Sequence, residues 1–79
     1  GPDGDLYIAD TDNNRIRAVD HATGVIRTVA GTGALGLDPD DDRLATATML
    51  ARPFGIEFDP GGDLYVCDTI NSRILRVAR

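Results

Sequence analysis

The sequence predicts an all-β fold of antiparallel four-stranded units, with about one and a half to two units present. Three observations carry this expectation. First, Gly4-Asp-Leu-Tyr-Ile-Ala-Asp10-Thr-Asp-Asn13-Asn-Arg15-Ile-Arg-Ala-Val19 returns 58 residues later as Gly62-Asp-Leu-Tyr-Val-Cys-Asp68-Thr-Ile-Asn71-Ser-Arg73-Ile-Leu-Arg-Val77. A unit that recurs at a fixed offset is one supersecondary element that cannot bury its apolar face alone. Second, short β-branched and aromatic runs alternate with clusters of Gly, Pro, Asn and Asp. Third, every acid except Glu57 is Asp. Asp hydrogen-bonds its own backbone in tight turns, whereas Glu favours helices.

Each element follows in order. Residues 5–10 form a strand around Leu6-Tyr-Ile-Ala9, bounded by the breakers Pro2-Asp-Gly4 and Thr11-Asp-Asn-Asn14. Residues 15–20 return as a second strand, His21-Ala-Thr-Gly24 turns the chain, and residues 25–30 complete a meander. A long connection follows Gly31-Thr-Gly33, with a short helical turn running through Leu50 that Asp41 or Asp42 caps. Then come a strand at residues 56–59, a Pro60-Gly-Gly62 turn, and strands at 63–68 and 73–78. Residues 1–33 thus hold the second to fourth strands of one unit, 34–52 the connection, and 53–79 the first to third strands of the next. The expected core is Leu6, Ile8, Ile16, Val19, Ile26, Val29, Ile56, Phe58, Leu64, Val66, Ile74 and Val77.

Composition narrows the function classes. A 79-residue chain buries only about 60% of its unfolded surface, so association is expected to add stability. The lone Cys67 excludes an internal disulfide and has no CxxC partner. It replaces Ala9 of the first copy and reads as a small core residue. A net charge of -5 argues against nucleic acid, whose phosphates demand clustered cations. No run approaches the roughly 20 apolar residues of a membrane helix, and no leader is read at the start.

The repeated polar residues suggest a structural duty. Asp10 and Asp68 end one strand, Arg15 and Arg73 begin the next, and Asn13 and Asn71 sit between. Across a hairpin each Asp faces its Arg, with the Asn taking a left-handed turn position at low cost, which fixes the register. No catalytic residue and no cofactor is expected. A candidate Ca²⁺ set is Asp38, Asp40 and Asp42, which present alternate carboxylates, but the Gly and Glu of an EF-hand loop are replaced by Arg43 and Met49. Gly31-Thr-Gly-Ala-Leu-Gly36 spells GxGxxG before an acidic loop without a strand-turn-helix setting. His21 reads as a solvated turn residue, and Ser72 lacks a His to activate it.

The order Pro53-x-Gly55-Ile56-x-x-Asp59 followed by Gly62-Asp-Leu-Tyr-Val-x-Asp68-Thr-x-Asn71-x-Arg73-Ile74 resembles the NHL repeat of six-bladed β-propellers. The first copy matches from Gly4 to Val19, and Leu44-Ala-Thr-Ala-Thr-Met-Leu50 is similar to the segment that precedes many such blades. The sequence departs from that pattern at Gly36 to Arg43 and at Cys67. The resemblance implies a non-catalytic scaffold that binds protein or another ligand through loops on one face. It also leans the compartment toward extracytoplasmic. A lyase or hydrolase fragment with a channel metal, or a piece of a membrane-anchored sensor, are the alternatives. Missing strands leave edges open, so a homo-oligomer through edge strands is expected.

Overall fold

The computed structural model describes residues 1–37 and 44–78. The first copy of the repeat runs as β1 (Leu6–Asp10), a 3₁₀ turn (Thr11–Asn13), β2 (Arg15–Val19) and β3 (Ile26–Ala30). After a second 3₁₀ turn (Ala45–Ala47) come β4 (Pro53–Phe58), β5 (Leu64–Asp68) and β6 (Arg73–Val77). The fold is all-β: two three-stranded antiparallel sheets, ordered β1-β2-β3 and β4-β5-β6. Leu6 pairs with Val19 and Asp10 with Arg15, as Leu64 pairs with Val77 and Asp68 with Arg73. The two hairpins therefore share one register at the repeat offset.

The turn chemistry differs from expectation by one residue. Asn14 and Ser72, not Asn13 and Asn71, take the left-handed conformation, at φ 55° and 52°. A tight turn followed by a left-handed residue swings the chain back onto the returning strand, so the residue just before Arg15 or Arg73 carries the reversal. Gly4 and Gly62, at φ 87° and 92°, enter the two hairpins at equivalent places.

The sheets stack face to face. Tyr7 of β1 meets Phe58 of β4 edge-on, ring centroids 4.7 Å apart. Ile16 and Ala30 of the first sheet pack with Leu64 and Val66 of the second and with Leu50 of the connection. Full burial of a side chain such as Ile16 or Val66 stabilises by about 1.5–3 kcal/mol. Ala9, Val29, Ile56, Phe58, Leu75 and Val77 pack around that cluster.

The core expected from alternation is corrected at four places. Leu6, Ile8, Ile26 and Ile74 are exposed. They lie on the faces that point away from the stack, and because both faces of the repeat are apolar, alternation marks neither as the inner one. The same geometry exposes Cys67, against the core position read from its sequence. Cys67 is on the outward face of β5, whereas its counterpart Ala9 points at the other sheet. Ala18, Ala30, Leu50 and Ala51 are buried as well, outside the core expected from alternation. The helical turn is only Ala45–Ala47, with Leu44 in the capping position and no side-chain cap bond. Leu50 instead bridges Leu35. Asp41 and Asp42 lie outside the described residues. β4 begins earlier than expected, at Pro53, with a bulge between Pro53 and Gly55.

Candidate functional site

The repeat motif places its polar triplet at the tip of each hairpin, where β1 turns into β2 and β5 into β6. In the second copy the three side chains converge. The carboxylate of Asp68 is fully buried, and its Oδ2 accepts from Asn71 Nδ2 and from Arg73 Nε, both at 2.8 Å. Its Oδ1 accepts the backbone N–H of Ala51 at 2.7 Å. Asn71 also donates to the Gly36 carbonyl at 2.9 Å, and Arg73 Nη2 reaches the Met49 carbonyl at 3.4 Å. A buried carboxylate needs such donors, because an unpaired one carries a large desolvation penalty. The chemistry of the cluster is therefore directed at the chain's own incoming backbone.

The first copy has the same letters and a different arrangement. Asp10 and Arg15 are cross-strand partners, yet no ion pair joins them among the described residues, which corrects the expected pairing. Asp10 accepts from Asn13 Nδ2 through both oxygens, at 3.0 and 3.1 Å. Arg15 turns away, Nη2 donating to the Thr32 carbonyl at 3.2 Å, and its Nε is buried without a hydrogen-bond partner. Residues at the 34–52 connection supply the backbone that gathers the second triplet. No described segment stands in that place against the first.

The turn of the first hairpin instead grips the other side of the same connection. Asn14 Oδ1 accepts the Arg52 N–H at 2.8 Å, Thr11 Oγ1 donates to the Pro53 carbonyl at 2.8 Å, and Arg52 pairs with Asp12 at 3.0 Å. Residues 51–53 are thus held between the two hairpin tips, Ala51 by one and Arg52 by the other.

Sequence reasoning missed a second polar group. Asp5, buried beside β1, accepts from the His21 N–H at 3.0 Å, contacts His21 Nδ1 at 2.7 Å and pairs with Arg27 Nη1 at 3.0 Å. The His21 ring, its backbone N–H and Arg27 hold the Asp5 carboxyl far below the usual range. The Asp5 carboxylate in turn raises His21. His21 is 62% exposed, so it is a turn residue as expected, but a partnered one. Only the third dimension brings Asp5 and His21 together; the signal available was their shared position beside the two turns of one meander. An open apolar cleft between the sheets is lined by Tyr7, Val29, Phe58, Leu64 and Val77, with Asp3 beside Tyr7.

The candidate Ca²⁺ residues Asp38, Asp40 and Asp42 lie outside the described residues. Among the described residues, no three His, Cys, Asp or Glu side chains are grouped to hold a metal. Two N–H groups of the Gly31 to Gly36 segment are spent on backbone, Gly31 to Ala45 at 3.0 Å and Gly36 to Leu50 at 3.3 Å. Among the described residues no helix is long and apolar enough to cross a membrane.

No family model matches the chain. Over 72 residues, 91% of its length, it is 36% identical to Protein SUPPRESSOR OF QUENCHING 1, chloroplastic, of Arabidopsis thaliana. It is 32% identical over 57 residues, 72% of its length, to NHL repeat-containing protein 2 of Bos taurus. Against the Gallus gallus protein of the same name it is 32% identical over 53 residues, 67% of its length. The chain spans 6–8% of the length of these curated relatives. Over much of its length, then, this chain is similar to part of an NHL repeat-containing protein.

Proposed function

We propose that the chain is a non-catalytic repeat module of the NHL-type β-propeller, two incomplete blades that serve as a scaffold for protein or ligand binding and assemble with further copies. The observation that carries this reading is the pair of equivalent hairpins in stacked sheets, with the better-formed triplet turned on the chain's own backbone. Groups spent on backbone are not free for chemistry on a substrate, and function on repeat folds sits on the non-repeated loops.

The repeat also supports one way for copies to meet. The covered face of the second sheet carries Leu64, Val66 and Val77, and the equivalent residues Leu6, Ile8 and Val19 lie on the outward face of the first. The outward face of the second carries Ile74, the equivalent of the buried Ile16. The two outward faces therefore repeat the two that already pack together, which supports head-to-tail stacking, a heterologous contact that closes into a ring if the rotation allows. Three chains would supply the six units that the resemblance implies. Light scattering after size exclusion tests this across a concentration series. The expected result is a trimer that Ile8→Asp reduces to a folded monomer; a monomer at all concentrations, or an oligomer indifferent to Ile8→Asp, overturns the assembly.

A further inference from the structure

We infer that the first hairpin tip, Asp10, Asn13 and Arg15 with the free edge of β1, is a binding site for an extended peptide segment of the kind formed by residues 45–58. The inference rests on the repeat-module reading and deepens it, since it names what one end of the module takes up. Its warrant is the internal twin. At the second hairpin the same three residue types bind backbone: Asp68 takes the Ala51 N–H, Asn71 the Gly36 carbonyl and Arg73 the Met49 carbonyl. The chain then continues through Pro53 as β4, antiparallel to β5 from Pro53↔Asp68 to Phe58↔Leu64.

At the first hairpin the receiving groups are set at the same register positions, and β1 is an edge strand with β2 as its partner among the described residues. One detail marks the site as unfilled. Asp10 has both oxygens on one exposed amide, Asn13, although its twin collects three donors.

The occupant follows from what the twin holds. It is an extended strand with a small residue whose N–H meets Asp10, a basic residue and a proline just after it, and apolar side chains at the positions of Ile56 and Phe58. The proline suits the site, because at this bulged strand start no ladder hydrogen bond is lost with its missing N–H. Binding adds a strand to the β1 edge, with main-chain hydrogen bonds giving affinity and the triplet fixing register. It also draws the Arg15 guanidinium from Thr32 back toward Asp10, as Arg73 stands toward Asp68.

The test uses the full 79-residue chain and a fluorescein-labelled synthetic peptide of residues 45–58, followed by anisotropy, with ¹⁵N spectra to locate the contact. The expected result is saturable binding, amide shifts in Leu6–Arg15, and at least tenfold weakening by Asp10→Asn in the protein or by N-methylation at the Ala51 position of the peptide. No saturable binding at millimolar peptide, shifts confined to Asp68–Arg73, or equal affinity in Asp10→Asn would each overturn the inference. Circular dichroism of Asp10→Asn confirms that weakening is not unfolding. A chain that assembles by mass yet ignores the peptide sinks this inference alone, whereas a chain that binds the peptide yet stays monomeric sinks only the assembly.

Discussion

The twin carboxylates offer a controlled comparison, because Asp10→Asn and Asp68→Asn are the same change in the same motif. In Asp68→Asn, Oδ2, or whichever atom becomes the amide nitrogen, can no longer accept from Asn71 and Arg73, or else Ala51 loses its acceptor. Hydrogen bonds to a charged group contribute roughly 1.5–3 kcal/mol each. Two of them share one oxygen, and Arg73 is 22% exposed, so water offsets part of the loss and the sum falls at about 3 kcal/mol. Against the roughly 4–12 kcal/mol expected of a chain this size, that is a large fraction. It corresponds to a fall in Tm of roughly 12–24 °C. Asp10→Asn removes only an exposed bond to Asn13, so less than about 0.5 kcal/mol is expected. Urea unfolding followed by circular dichroism measures both. Equal losses in the two variants, or a loss under about 1 kcal/mol in Asp68→Asn, would refute the claim that the buried triplet clamps the connection.

Other expected outcomes follow from the same geometry. Gly31 has φ 91°, and a Cβ there would run into the Asn14 carbonyl, so Gly31→Ala should cost about 2–3 kcal/mol in the same unfolding assay. Ser72 holds a left-handed conformation that Asn14 holds in the first copy, and Ser72→Asn should raise stability by about 0.5 kcal/mol, since Asn visits that region more readily. At concentrations where the chain is monomeric, Val66→Ala should cost about 2 kcal/mol and the equivalent Ile8→Ala under about 1, because within one chain Val66 is fully buried and Ile8 is 39% exposed. The His21 pKa is raised by Asp5, so the stabilisation from His21⁺ is full below its unfolded value and is lost as pH rises through the folded one. A Tm series from pH 5.5 to 9 should therefore decline in the wild type and flatten in His21→Asn. The Asp5 pKa is depressed, so its contribution, present above the usual carboxylate range, disappears only in strong acid.

The strands were legible because Leu6-Tyr-Ile-Ala9 and Leu64-Tyr-Val-Cys67 are apolar runs between Asp and Gly breakers. The side that packs was not, since Leu6 and Ile16 lie on opposite faces of one sheet and both are large and apolar. Only the neighbouring sheet decides between them. Ala18 and Ala30 escaped notice because close approach of two backbones selects small residues, which carry little hydrophobic signal. The triplets were legible as letters, yet whether Asp10 or Asp68 would be buried depended on the path of the connection, whose Ala51 N–H reaches Asp68 while among the described residues Asp10 meets only Asn13. The Asp5–His21 contact joins residues 16 apart; the β1–β2 register brings the two ends together, but whether their side chains meet depends on the fold of the turn.

The grip on residues 51–53 has a geometric consequence for any longer stack of such sheets. The amide nitrogens of Ala51 and Arg52 belong to successive residues, whose Cα atoms are about 3.8 Å apart, and each is fastened to a different hairpin. Two peptide planes that meet at the Ala51 Cα therefore tie the two sheets together at one end, and the torsions of that one residue enter the tilt between them. An array built this way draws part of its curvature from the backbone torsions at each such junction, so a change of conformation at the Ala51 position would alter how sharply the array bends.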